Sequence, residues 1–333
     1  MMRMMSMRKY GTIALLCVAW CVALTGCALH RSGAGEGELS AEERQKFEYF
    51  YLEAERQKAL DHDDAAFDLM SRAAEIDTAS AAARFFLAPY YLRLGLYDQA
   101  RGDLRYAAEQ HPENYWYNVV YANFSQQSGQ HDEAIRIWSR LLKQNPDKGE
   151  INSALAEAYT AKGDLKSAVA CYDSLESSMG IKAPITIEKL KLYEHMGDMD
   201  AMVSEAEKLQ RTFPQNTDYM RLLGDIYLEA GRHSSALAMY DRALEVEPEN
   251  GYVYLSKAGY YENKGDSIAY NNEIRNALIN RHIDVDTKLN IFSTYIVDLM
   301  KKKQELNRVD SLFAEMLEQY PQEEPVHRLL LVE

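Results

Sequence analysis

Cysteine is nearly absent from the body of this chain. Three of its four cysteines, Cys17, Cys21 and Cys27, fall within the first 27 residues, and only Cys171 lies beyond them. No pair remains there for a structural disulfide or a cysteine-based zinc site. Positive charge is scarce as well: 37 Lys and Arg stand against 51 Asp and Glu, a formal net charge of -14. Such a balance leaves no room for the Lys/Arg stripe that holds a phosphate backbone, and it excludes nucleic acid as a partner. Catalytic signatures are missing too, with no G-x-S-x-G, H-E-x-x-H, P-loop or G-x-G-x-x-G, and Cys171 has no histidine near it in sequence. The eight histidines include no pair three or four residues apart, and Asp61-His62-Asp63-Asp64, although rich in ligand atoms, reads as a solvated loop. The sequence therefore offers no catalytic, cofactor-binding or metal-ligating residue and predicts a non-enzymatic protein with no cofactor. What is present is ordinary folded composition, 47% hydrophobic and 26% charged.

Apart from one stretch, long apolar runs are lacking. Thr12 to Leu24 is uncharged and follows Arg3, Arg8 and Lys9; it suits a signal-peptide core and is short for a membrane span. It ends in Leu24-Thr25-Gly26-Cys27, which resembles the bacterial lipobox. That resemblance implies that residues 1–26 are a lipoprotein signal peptide and that Cys27 becomes the acylated, palmitate-bearing N-terminus. Its several acyl chains suffice for stable membrane anchoring. Residues 27–46 follow as lipidated N-terminus and tether, with three glycines and no apolar periodicity from Ala28 to Ser40. Cleavage removes three basic residues and no acidic one, which makes the remainder more acidic still. Ala28 stands where Asp in enterobacterial lipoproteins favours inner-membrane retention. By that resemblance the protein is an outer-membrane lipoprotein of the bacterial cell envelope, facing the periplasm rather than the surface.

From Phe47 the sequence repeats itself. Gly95, Gly129, Gly163, Gly197, Gly231 and Gly265 are spaced 34 residues apart. A frame opened at Phe47 gives seven units over 47–284. Position 8 then holds Ala54, Ala88, Ala122, Ala156, Leu190, Gly224 and Ala258, and position 20 holds Ala66, Ala100, Ala134, Ala168, Met202, Ala236 and Tyr270. Tyr recurs at position 11 (Tyr91, Tyr159, Tyr193, Tyr227, Tyr261) and Pro at position 32 (Pro112, Pro146, Pro214, Pro248). Small residues facing each other permit close helix pairs, glycine at position 15 ends the first helix, and proline stops the second.

This pattern resembles the tetratricopeptide repeat (TPR). The best copy is Thr217 to Asn250, with Leu223, Gly224, Tyr227, Gly231, Ala236, Tyr240, Ala243 and Pro248 in family positions. The resemblance implies an all-α fold, a right-handed α-α superhelix or TPR solenoid, lined on its concave side by the first helix of each pair. Repeat 1 departs from it with Asp61 for the glycine and Thr78 for the proline, and Pro89 is expected to bend the first helix of repeat 2. Leu190 and Met202 together predict wider helix spacing or a change of curvature between residues 183 and 216. Beyond 284 the phase slips. Asp286–Lys303 and Gln304–Tyr320 read as an elongated eighth pair over 285–321, and 322–333 as a terminal helix that is either a cap or the start of a truncated repeat.

In this family the groove is formed by positions 2, 5, 9, 12 and 13 of the first helices. They place Trp116, Asn123, Gln127, Glu157, Lys191, Glu194, Arg221, Asp225, Tyr252 and Glu262 on the candidate partner-binding face, along with Gln126, Asp218, Glu229 and Asn263. Asn123 meets one requirement of a carboxylate clamp, but position 5 is Val119, so the clamp is missing. The implied function is a lipid-anchored TPR adaptor that binds a protein or peptide, with a basic segment, in a cell-envelope complex. A second reading is a carbohydrate- or peptidoglycan-binding accessory protein in which Trp116 and Tyr252 stack on sugars. A third is the repeat part of a longer enzyme. No residue identifies the partner.

Overall fold

The computed structural model describes residues 39–301 and 307–319. Among them every regular element is an α-helix, from α1 to α16 in chain order. The chain divides into two units, Met1–Gln110 and His111–Glu333. The first holds α1 (Ala41–Ala59), α2 (Asp63–Ile76), α3 (Ala81–Arg93) and α4 (Tyr97–Gln110). The second holds α5 (Tyr115–Gln127), α6 (His131–Gln144), α7 (Gly149–Lys162), α8 (Leu165–Met179), α9 (Ala183–Met196) and α10 (Met199–Thr212). It continues with α11 (Thr217–Glu229), α12 (His233–Val246), α13 (Gly251–Lys264), α14 (Ser267–Leu278), α15 (Val285–Lys301) and α16 (Asn307–Gln319). No helix among the described residues is long and apolar enough to cross a membrane.

Helix boundaries follow from local chemistry at both ends. Ser80, Asn114, Asn216 and Asn250 stand at repeat position 34, and each side chain accepts a backbone N–H from the first turn of the helix it precedes. Asp164, Asp198 and Asp266 do the same for second helices. The six periodic glycines all have φ between 67° and 86°, a conformation that ends the first helix and is strained for a residue with a Cβ. Asp61 takes φ 59° in the glycine's place in repeat 1, so the register of that repeat is kept with a different residue.

One boundary differs from the sequence reading. Ser40 and Glu43 form a capping box, and α1 opens at Ala41. The tether expected to run to residue 46 thus gives way to helix six residues earlier, because the Ser-x-x-Glu signal sits ahead of Phe47. Cys27 and the signal peptide lie outside the described residues, as does the terminal segment 322–333.

The small columns close the hairpins. Ala54, Ala66, Ala88, Ala100, Ala122, Ala134, Ala156, Ala168 and Ala236 are fully buried. Gly224 shows why: a Cβ built on it would stand 2.5 Å from Cε1 and 2.8 Å from Cδ1 of the buried Tyr240 ring. In repeat 5 Leu190 and Met202 pack in one cluster with Val203, Ala206, Leu223 and Ile226. The contact between α9 and α10 is less extensive than in the other six hairpins, in keeping with the predicted wider spacing. Helix α3 runs through Pro89 without a break. In the last described pair Phe292, Tyr295 and Leu299 of α15 meet Leu312 and Met316 of α16, together with Ile274 and Leu278.

Candidate interaction surface

The predicted groove residues lie on the first helices of repeats 3 to 7, all within the second unit. On α5, Trp116 is 46% exposed with its ring edge-on to Tyr115 at 5.2 Å, and Asn123 and Gln127 are exposed a turn or more further on. Lys148 sits 3.4 Å from the Tyr115 ring centre, which fixes that ring behind Trp116. Tyr252 on α13 is 43% exposed. Helix α5 carries no charged residue, so its exposed face is aromatic and amide in character.

Charge on these helices is unevenly engaged. Lys191 is paired with Glu188 at 2.7 Å and Arg221 with Asp225 at 3.1 Å. Both groove cations are thus neutralised on their own helices. Glu157 and Glu194 are exposed and have no ion-pair partner among the described residues. Glu262 is exposed near the end of α13. Asp225 plays a second part that the sequence did not disclose: it accepts the Tyr240 hydroxyl proton at 2.8 Å. Burial and the neighbouring Asp225 carboxylate push the Tyr240 phenol up, so it stays protonated and donates. Asp225 is therefore as much a hairpin tie as a surface charge.

Sequence reasoning missed a polar cluster at position 7, where the first helices of repeats 2, 3, 4 and 6 carry Leu or Tyr. Lys189 of α9 is fully buried, with its ammonium 2.7 Å from Asp173, 3.1 Å from Glu176 and 2.9 Å from Glu205. Lys208 joins Glu176 at 2.6 Å, and the Thr186 hydroxyl donates to the same carboxylate at 3.0 Å. Burial works against the Lys189 charge, but the three carboxylates outweigh it and hold the ammonium above the usual lysine value. Burial likewise acts to raise Glu176, and hydrogen bonds from Lys208, Lys189 and Thr186 prevail and hold it below the usual carboxylate value.

Two repeats further along, the arrangement recurs at the same positions: Lys257 lies 2.9 Å from Asp241 and 3.3 Å from Glu273. Each lysine ties the second helix of the preceding repeat to both helices of its own. The signal was in the sequence, since Asp173 and Asp241 share position 25 and Glu205 and Glu273 share position 23. A lysine in a column that is apolar in repeats 2, 3, 4 and 6 reads as a groove or surface residue until the fold places it. These clasps are structural, because their carboxylates are spent on the lysines.

Two small polar hollows occur among the described residues, each open to solvent. One of about 450 Å³ is lined by Arg84, Tyr91, Asp103 and Tyr106, and one of about 540 Å³ by Asp198, Asp200 and Arg232. Cys171 is half-buried, and burial pushes its thiol up to about 11, so it is not a thiolate at neutral pH.

The comparisons agree with this architecture. Two family models, each described as tetratricopeptide repeat, match residues 91–150 and 125–178, and residues 202–249 and 221–267. The chain is 27% identical over 176 residues to signal recognition particle subunit SRP72 of Dictyostelium discoideum, covering 45% of this chain and 26% of that protein. It is 26% identical over 140 residues to the BBSome complex member BBS4 of Bos taurus, covering 41% and 26%. The aligned stretch thus spans about a quarter of the length of these relatives. A solved structure of Naa15/Naa10 bound to HypK-THB superposes on 84% of this chain and 45% of its own at TM-score 0.52 and 19% identity, a likeness of fold. The described residues are all-α, and residues 91–178 and 202–267 match tetratricopeptide repeats. The chain is a scaffold of the kind that mediates protein interactions.

Proposed function

We propose that this protein is a lipid-anchored, non-enzymatic adaptor of the bacterial cell envelope, held at the outer membrane by acylated Cys27 and facing the periplasm. It binds an extended segment of a partner protein along the first helices of repeats 3 to 7. The observation that carries the reading is the inventory of that face: two exposed aromatics, Trp116 and Tyr252, with Glu157 and Glu194 between them in sequence and both cations already neutralised. The net field of the face is negative, so the favoured segment carries Lys or Arg with a few apolar anchors.

The test is site-specific photocrosslinking from positions 123 and 194 in cells, followed by mass spectrometry. With the captured partner, Glu157→Lys/Glu194→Lys should slow association and reduce its salt sensitivity, and Trp116→Ala should mainly speed dissociation. Asp225 is a poor choice for charge reversal because that change also breaks the Tyr240 hydrogen bond. Capture that survives these variants and fails on substitution of second-helix residues would move the site to the other face. Replacing Cys27 with Ala should release the protein from the membrane while its helical circular dichroism persists.

A second reading rests on α5, whose uncharged aromatic and amide face suits a sugar as well as a peptide. Binding of muropeptides that is lost in Trp116→Ala and unaffected by Glu157→Lys/Glu194→Lys would favour a glycan-handling accessory protein.

A further inference from the structure

The turns that end the first helices of repeats 1 and 2 carry a surface that the groove reading does not use. Elsewhere the residues flanking the turn glycine are mostly polar: Ser128 and Gln130, Lys162 and Asp164, Lys264 and Asp266, with Asp198 and Arg232 after the glycine in repeats 5 and 6. Repeat 2 instead reads Leu94-Gly95-Leu96-Tyr97, and repeat 1 has Leu60 at the place of Leu94. All four side chains project into solvent, Leu60 being 50% exposed, Leu94 61%, Leu96 43% and Tyr97 60%. Four large apolar residues on two adjacent turns form a patch of the kind that marks an interaction site.

The patch has a fixed support. Asp63, at the start of α2, accepts hydrogen bonds from Arg93 at 2.6 Å and from the Tyr90 hydroxyl at 3.2 Å, which ties the turn of repeat 1 to the end of α3. Leu96 occupies the position from which Asp164, Asp198 and Asp266 cap their second helices, so α4 gives up a side-chain cap to present an exposed leucine.

Around the apolar residues the charge is negative. Asp61 and Asp64 are exposed and outside any ion pair among the described residues, whereas Arg93 is paired with Asp63 and Arg101 with Asp98 at 3.2 Å, and Lys58 lies over the Phe86 ring at 4.3 Å. We propose that this edge of the first unit is a docking surface for an amphipathic segment of a partner protein that presents aliphatic side chains flanked by Lys or Arg. Apolar burial supplies the affinity, and the aspartates select the sign of the flanking charge. The site belongs to a different unit from the groove and stands or falls separately from it.

The probe is a fluorescent amphipathic helical peptide of roughly fourteen residues made of Leu and Lys, titrated against the full chain by anisotropy. Matched Leu/Glu and Ser/Lys peptides and anionic lipid vesicles serve as the other arms. The Leu/Lys peptide should bind at least about tenfold more tightly than either matched peptide. Leu94→Ser/Tyr97→Ser should remove that advantage, while the groove variant Glu157→Lys/Glu194→Lys leaves it intact. Leu96→Asp supplies the missing cap and so keeps or raises helix stability, yet it should weaken the peptide. Equal binding of Ser/Lys peptide, unchanged affinity in Leu94→Ser/Tyr97→Ser, or capture by vesicles of the Cys27→Ala protein in place of the peptide would overturn the proposal.

Discussion

Replacing Lys189 with Met removes the centre of the larger buried clasp while keeping the aliphatic stem. Glu176 is buried and keeps Lys208 at 2.6 Å and the Thr186 hydroxyl at 3.0 Å, whereas Glu205 keeps only Lys208 at 3.5 Å. Asp173 is half-exposed and turns to water. Breaking a buried pair by deleting one partner costs about 3–5 kcal/mol. Because one of the three carboxylates rehydrates and another retains strong partners, the low end, about 3 kcal/mol, applies. Lys257 is less deeply buried and has two carboxylate partners, one of them half-exposed, so Lys257→Met should cost about 2 kcal/mol, between buried and surface values.

Repeat proteins open locally, so the readout is amide hydrogen exchange resolved by segment rather than a single melting temperature. In Lys189→Met, exchange in α8, α9 and α10 should accelerate by about two orders of magnitude. In Lys257→Met the effect should be about thirtyfold and confined to α12, α13 and α14. The control is Lys191→Met, whose exposed pair with Glu188 should change exchange by less than about threefold. Adding Glu205→Leu to Lys189→Met should recover part of the loss, because an uncompensated carboxylate then leaves the interior. If Lys189→Met exchanges no faster than Lys191→Met, the lysine is not an interhelical tie and the argument fails.

Four further outcomes follow from the packing and the backbone. Glu176 is held below its ordinary value of 4.5, so its contribution to stability is fully present above pH 4.5 and is lost as pH falls through the lower folded value. The deficit of Lys189→Met relative to the unmutated chain should therefore shrink on acidification, as read by exchange corrected for intrinsic rate. Gly224→Ala should destabilise by about 1–3 kcal/mol in chemical denaturation, because the new Cβ meets Tyr240 and this outweighs the better helix propensity of alanine. Gly259→Ala, on α13 with no atom within 4 Å of the new Cβ, should instead stabilise by about 0.5–1 kcal/mol. Gly231→Ala places a Cβ at φ 71° in open space, so its loss should be pure backbone strain of about 1 kcal/mol or more, unrelieved by changing Tyr240.

The repeat period, the hairpin at each period and the burial of the small columns were legible in the sequence, because each depends on a local requirement that recurs every 34 residues. Glycine at 95, 129, 163, 197, 231 and 265 needs only its own backbone to adopt positive φ, and Ala or Gly at position 8 answers a partner a fixed distance along the chain. The departure from the small columns at Leu190 and Met202 was legible for the same reason.

What the tertiary structure decided was the use of charge. Lys189 and Lys191 lie two residues apart on one helix. Whether a lysine is a core clasp or a surface charge depends on Asp173 and Glu205, sixteen residues before and after Lys189, arriving on different helices. Asp225 changed from a free groove carboxylate to the acceptor of Tyr240 in the same way. Exposure of Leu60, Leu94, Leu96 and Tyr97 was likewise invisible to composition, since apolar residues beside a turn are as readily tucked inward as turned to water. Periodicity fixes which residues can meet within a hairpin. Which charges lose their water, and which apolar groups keep it, is settled only when neighbouring hairpins stack and a shared interior is formed or withheld.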